Sequence, residues 1–493
     1  MKKIIYVISF LNCFIFSSLF TNSPILLNAQ PGWSEDYRLT YRPGYSYNPR
    51  AVCNGDTIHL VWWEGYVDTI IHEEVFYKRS TDAGMTWGED VRLTQEDSIS
   101  AVTPCIAVWG DKIHVVWKEQ TAYYSAICYR KSEDGGNTWG NIDTIFKSNI
   151  DGWYHPWISV HNNVISCVTI KTDGRLVFVK SVDNGNSWLP SQDIAAASSQ
   201  PRVKNGRLDS LFLNVVYQHM LYKNEIYNIR SFDSGESWTD SQCISEQDGI
   251  SSQRPAMDTD DSGGVHITWY DYKYSPNPWT GDIFYRASRD SGNTWGEIDS
   301  LTVMHRATWS DVLAEGNNLH LVWQDDRHGF DTNREIYYRM SRDLGQTWGP
   351  EVRLTDAPCH SFRPSLACDG NNLHLFWSDL RDDPSNRVGE IYYKCKDLSY
   401  SIEESKESTC GTNLSFVVSP NPFARTFGIG LCSSKMNVAI KIFDVSGEEV
   451  MSREMRDITK QVRIDAKHLP SGVYFVEVEA GSERAIEKVV KVR

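Results

Sequence analysis

Positive charge is short in this 493-residue sequence: 49 Lys and Arg stand against 64 Asp and Glu, for a formal net charge of -15. A protein of that sign repels polyanions through its bulk field, which excludes nucleic acid as a partner. No long hydrophobic run follows residue 20, so no membrane span is expected once an N-terminal leader has been removed. His, Cys, Asp and Glu do not recur at metal-ligand spacing, so neither a metal nor a cofactor is expected. What the chain does have is apolar material: 41% of residues are hydrophobic and 12% aromatic, with 18 Trp, which suits a folded protein and excludes a disordered one.

Lys2 and Lys3 precede an apolar run from Ile4 to Phe20, and Ala29 offers a small residue at a cleavage point. Residues 1–29 therefore read as an export signal rather than an anchor, because Ser9, Asn12, Ser17 and Ser18 interrupt the run. Eleven cysteines are present, of which Cys13 falls in the leader. Export permits disulfides among the others, but spacing alone does not pair them.

The middle of the chain is repetitive. Six copies of Ser-x-Asp-x-Gly-x-Thr/Ser-Trp carry Asp82, Asp134, Asp183, Asp233, Asp290 and Asp343, closing on Trp87, Trp139, Trp188, Trp238, Trp295 and Trp348. Their spacing of about fifty residues is the length of one propeller blade. Each unit reads as four strands. The first starts at Pro or Arg-Pro, the second carries His-x-x-Trp as in His320 to Trp323, the third is aromatic and alternating as in Glu335 to Arg339, and the fourth follows the Trp of the turn. Trp33 to Thr40 aligns without gaps on Trp87 to Thr94, whereas the last unit stops after Glu390 to Lys394 and a decayed turn at Asp397. The N-terminal strand thus supplies what the last unit lacks, and the all-β fold closes as a seven-bladed propeller, a six-bladed ring being the alternative. The turn needs no metal: its carboxylate can accept backbone N–H bonds, its Gly takes a left-handed conformation, and its Trp packs between sheets. The strand histidines read as structural for the same lack of ligand partners.

These turns are Asp boxes, and the repeats resemble the sialidase (BNR repeat) superfamily of β-propellers. That superfamily includes sialidases, other glycosidases and binding proteins, so the resemblance implies a fold more firmly than an activity. In its enzymes the substrate face lies opposite the boxes, where an arginine trio grips a carboxylate and an acid assists. On the corresponding face here, Glu64, Glu119, Asp271, Asp325 with Arg327, and Asp379 with Arg381 follow the second strands, while Arg254 and Arg363 begin first strands. Guanidinium groups bind carboxylates in bidentate fashion, which makes these candidates for ligand binding. Recurrence of Trp-x-Asp-x-Arg in two units suggests instead a turn brace. The Phe-Arg-Ile-Pro motif of sialidases is approximated only by Phe362-Arg363-Pro364, in the last unit, and no Tyr and Glu stand out as a nucleophile pair.

Residues 403–412 read as a polar linker between a propeller at 30–402 and a final unit at 413–493. Ser419-Pro420-Asn421-Pro422-Phe423, Ile442 to Gly447, Leu469 to Val476 and Lys488 to Arg493 read as a small β-sandwich. In this order they resemble the C-terminal sorting domain of type IX secretion, which implies that secretion machinery as a partner and a secreted or surface-attached protein. The expected function is binding of an extracellular glycan or protein through the face opposite the boxes. The alternatives are an exo-acting glycosidase of sialidase type and a structural surface protein.

Overall fold

The computed structural model describes residues 32–398 and 416–491, apart from short stretches such as 66–71, 207–210, 276–279, 330–332 and 384–387. The expected leader and linker lie outside the described residues. No helix occurs among the described residues, and none is therefore long and apolar enough to cross a membrane.

Seven four-stranded antiparallel sheets account for residues 37–397. Their first strands are Tyr45–Asn54, Ser100–Trp109, Trp153–His161, Ser199–Asn205, Ser252–Thr259, Ala307–Glu315 and Ser361–Cys368. Each first strand packs on the next, and the last packs on the first, so the sheets form a closed ring about a central channel. Six sheets use consecutive strands. The seventh is completed by Tyr37–Arg38, which lies antiparallel to Glu390–Asp397 with Tyr37 opposite Tyr393. Trp33 bridges to Lys396, Leu39 N–H donates to the Ile391 carbonyl at 2.8 Å, and the Thr40 hydroxyl donates to Glu390 at 2.5 Å. The chain's beginning and end are thus sewn into one sheet, as the gapless alignment predicts.

The sequence pattern of each unit maps onto burial. Second strands are covered on both faces: Trp62, Trp117, Trp269, Trp323 and Trp377 are fully buried, as expected where a sheet is packed between two neighbours. The strand histidines are structural. His59, His114, His266, His320 and His374 each place Nδ1 2.7–2.9 Å from a tyrosine hydroxyl on the third strand. Four of those tyrosines reach the following sheet's Asp box: Tyr77 meets Gly136, Tyr129 meets Gly185, Tyr285 meets Gly345, and Tyr393 meets Gly84 across the seam. A Cβ on Gly345 would lie 2.1 Å from the Tyr285 hydroxyl, so this glycine is needed for close approach as well as for its φ of 87°.

Each Asp box closes on itself. Asp82 accepts the Thr86 amide at 2.8 Å and its hydroxyl at 2.6 Å, while Ser80 Oγ accepts the Gly84 amide. In Asp290 the Thr294 amide and hydroxyl, with Ser288, hold the carboxyl down at about 2. Five of the box tryptophans stand edge-on to aromatic rings of the preceding sheet, as Trp139 on Tyr77 and Trp348 on Tyr285, while the Trp295 indole donates to Gln242, and all six remain partly exposed.

The tail forms two further sheets. One contains Phe416–Ser419, Thr426–Leu431 and Gln461–Asp465, and the other Glu449–Ile458, Met436–Phe443, Gly472–Ala480 and Glu483–Lys491. Ile429, Ile440, Ile442, Ile464, Val476 and Val489 are buried, which is the alternating inward pattern of a sandwich. The eight described cysteines carry free thiols.

Candidate functional site

Every first strand breaks register with its neighbour near its start, at a β-bulge. One non-glycine residue in each bulge takes a left-handed conformation: Asn48, Thr103, His155, Gln200, Arg254, Trp309 and Arg363, with φ between 50° and 57°. Proline follows six of them and Ser310 the other. Such conformations cost about 1–3 kcal/mol each and persist only where surroundings enforce them. Some of the surroundings are cross-sheet hydrogen bonds. The amides of Asn48, Arg254 and Arg363 donate to Ser378, Gln218 and Gln324 of the preceding sheet at 3.0–3.2 Å. The seven positions share one end of the channel, because bulge and second-strand end are paired in register; Ser252, for instance, lies opposite Asp271. That end is opposite the Asp boxes, which close the third strands at the other.

Three guanidinium groups converge there. Arg254 lies 3.5 Å from the centre of the Trp309 ring, and Arg363 lies 4.8 Å from the same ring and 5.9 Å from Tyr47. Arg50, two residues past its bulge, lies over Trp157 at 5.2 Å and lines a channel cavity of about 230 Å³. Other charges in that cavity are paired: Arg202 with Asp311 and Lys204 with Asp258, both at 2.9 Å. Among the described residues, Arg50, Arg254 and Arg363 have no carboxylate partner. Burial first, and then the charges of Arg254 and Arg50, lower Arg363 to about 10. Burial and the neighbouring Arg202 do the same to Arg50. His155, whose ring lies 3.3 Å from the Gln200 amide, is held at about 4 by burial and by Arg254, Lys118 and Arg363, so it is neutral at pH 7.

The acids singled out by sequence stay in their own units. Asp325 accepts the Arg327 amide and guanidinium and the Trp323 indole N–H, and Arg327 reaches on to Glu351. Asp379 is held the same way by Arg381 and Trp377, and Arg381 reaches Asp36. Asp271 accepts the Ser252 hydroxyl at 2.6 Å and the Lys273 amide. Glu119 accepts the Trp117 indole. Glu64 pairs with Arg42 at 2.9 Å, although burial pushes it up to about 7. Of the sequence candidates, then, Arg254 and Arg363 are brought together over Trp309, and Asp325 lines a cavity with Arg254, whereas Arg327, Arg381, Glu64, Glu119, Asp271 and Asp379 stay in their own units. Arg50, Trp309 and His155 were missed. The X-Pro dipeptide that marks six of the seven bulges was the signal that could have found the ring. Among the described residues, no group of three or more His, Cys, Asp or Glu side chains is placed to hold a metal ion.

Comparison with known proteins adds two domain matches. Residues 25–267 match the BNR repeat-like domain, and residues 417–492 match the secretion system C-terminal sorting domain. No curated protein matches the chain. Similar solved structures include the BP39L lectin from Burkholderia pseudomallei, at 12% identity and a TM-score of 0.50 over 71% of this chain and 96% of that one. An ulvan lyase of a new polysaccharide lyase family follows at 10% identity and 0.50, over 72% and 95%. A protein of unknown function from Dyadobacter fermentans gives 13% and 0.47, over 75% and 100%. At these identities the likeness concerns the fold.

Proposed function

We propose that this exported Asp-box propeller, a BNR-repeat chain with a C-terminal secretion sorting domain, binds an acidic glycan at the mouth of its ring, on the face opposite the boxes. The observation that supports the reading is the meeting of Arg254 and Arg363 over Trp309, with Arg50 close enough to act on Arg363, none of the three in an ion pair among the described residues. Three like charges in a half-buried site repel one another, and a bound carboxylate or sulfate relieves that repulsion through bidentate hydrogen bonds. Trp309 and Tyr47 lie against these guanidinium groups and hold them in place. The net charge of -15 opposes an anionic ligand through the bulk field, but at physiological salt that field is screened beyond about 8 Å, so the arginines at the mouth decide.

Binding is favoured over hydrolysis because the acids around the mouth are engaged. Asp311, the carboxylate that acts on Arg50, is tied to Arg202 and to the Leu366 amide at 3.0 Å. The tail from residue 413 onward would serve the type IX machinery. The test is a titration of purified propeller with uronate- or sialate-containing oligosaccharides and with neutral ones. Acidic ligands should bind preferentially, and Arg254→Ala or Arg363→Ala should weaken them by at least about tenfold, given roughly 1.5–3 kcal/mol per charged hydrogen bond. Equal affinity for neutral glycans would sink the proposal, and brisk release of sugar from a fluorogenic sialoside would favour the glycosidase.

A further inference from the structure

Four tyrosines on the same face are unusually exposed: Tyr41 at 68%, Tyr123 at 83%, Tyr222 at 87% and Tyr274 at 53%. Tyr123 sits at the tip between strands Lys112–Thr121 and Tyr124–Ser132, and Tyr222 between Leu213–Met220 and Asn224–Ser231. Tyr274 follows Val265–Asp271, and Tyr41 follows Tyr37–Arg38. All four belong to connections at the end of the sheets where the bulges lie, since Ser100 pairs with Gln120, Ser199 with Gln218 and Ser252 with Asp271. They therefore surround the arginine mouth from outside, because second strands and their hairpins lie farther from the channel than first strands.

The mouth is shallow. Arg254 lines a cavity of about 130 Å³ together with Trp309, Arg306 and Arg334, so that three arginines there face the two carboxylates of Asp325 and Asp326. Pockets that enclose a small ligand run from about 300 to 1,000 Å³, so this one has room for a charged substituent rather than a whole terminal sugar. A ligand anchored there lies across the face, and its neighbouring residues pass outward over the rim. Exposed aromatic rings are suitable platforms for the apolar face of a pyranose.

We infer that the face takes an internal stretch of an acidic polysaccharide, its charged group in the cluster of Arg50, Arg254 and Arg363 and its flanking sugars on Tyr123, Tyr222 and their counterparts. This rests on the proposed acidic-glycan reading and adds to it the length and continuity of the ligand. The test titrates the full chain with alginate oligosaccharides of increasing length, and in a second arm with oligosialic acids of matched lengths. Affinity should rise by about tenfold or more from dimer to octamer. The paired change Tyr123→Ala with Tyr222→Ala should return the octamer to the affinity of the dimer without altering the dimer, whereas Arg363→Ala should weaken both. Length-independent affinity, or an unchanged octamer after the tyrosine changes, overturns the extended-chain inference while leaving the arginine reading intact. Arg363→Ala without effect, or no binding at any length in either arm, overturns both.

Discussion

Removing residues 32–40 should destabilise the ring far more than trimming a loose terminus, because this segment is the outer strand of the seventh sheet. Trp33 is 4% exposed and stands edge-on to Tyr338 of the preceding sheet at 5.3 Å, and Leu39 is 1% exposed. Losing a buried Trp costs about 3–5 kcal/mol and a buried Leu about 2–5, so the two side chains alone account for at least about 5 kcal/mol. Glu390, which burial already raises to about 7, also loses the Thr40 hydroxyl and the Arg38 guanidinium. An unfolding entropy of about 2.1 cal/mol/K per residue gives roughly 0.8 kcal/mol/K for a ring of this size, so Tm should fall by about 6 °C or more. The assay is a thermal scan of full and truncated chains at one pH, followed by addition of a synthetic peptide spanning residues 30–42, which should restore part of the loss. A truncated chain melting within about 2 °C of the full one would refute the reasoning.

Three further outcomes are expected. Burial raises Glu74 to about 7 against the pull of the Thr94 hydroxyl, so its contribution is full below about 4.5 and is lost as pH rises through 7. Glu74→Gln should therefore flatten the decline in stability between about pH 4.5 and 7, by up to about 3 kcal/mol. The buried His59 and His320, lowered to about 4 and about 3 mainly by burial, run the other way, losing stability as pH falls below 6.5. An unaltered pH–Tm slope in the variant would count against this account. Gly345→Ala should cost about 2–4 kcal/mol in urea denaturation, combining a strained left-handed residue with overpacking on Tyr285, and Tyr285→Phe should recover part of it. Asp290→Asn should lower Tm while leaving ligand affinity per folded molecule unchanged, and chelator should not alter the melting of the native chain; a rise of several degrees on adding calcium would contradict the hydrogen-bonded turn.

The repeat scaffold was legible because its constraints are local and recur. Asp82 and its five counterparts meet partners two to four residues away, so the motif contains its own explanation. The gapless match of Trp33 to Thr40 with Trp87 to Thr94 likewise places the closing strand from sequence alone. The arginine cluster was only half legible. Arg254 and Arg363 share a position that repeats, whereas Arg50 lies two residues farther along its strand, and nothing in sequence spacing says that it approaches the others across the ring. For the acids, sequence spacing gives the place and not the partners. Asp325 and Asp379 sit at the right end of the sheet, but each is held by the arginine two residues ahead and the indole two residues behind.

The geometry also separates what the ring holds constant from what it varies. The bulge recurs seven times with nearly the same φ, and its cross-sheet anchors belong to the scaffold. The residue occupying it differs in six ways: Asn, Thr, His, Gln, Arg, Trp and again Arg. A left-handed φ is unfavourable for every one of these, and more so for Trp than for Asn, so local preference does not choose them. Their shared feature is place, at the mouth of the channel, where a side chain can meet a ligand and its neighbours at once. Arg254 stacks on Trp309, and His155 is kept neutral by burial first and then by Arg254, Lys118 and Arg363, so the ring presents positive charge beside aromatic rings. On that arrangement rests the proposed binding of an acidic sugar.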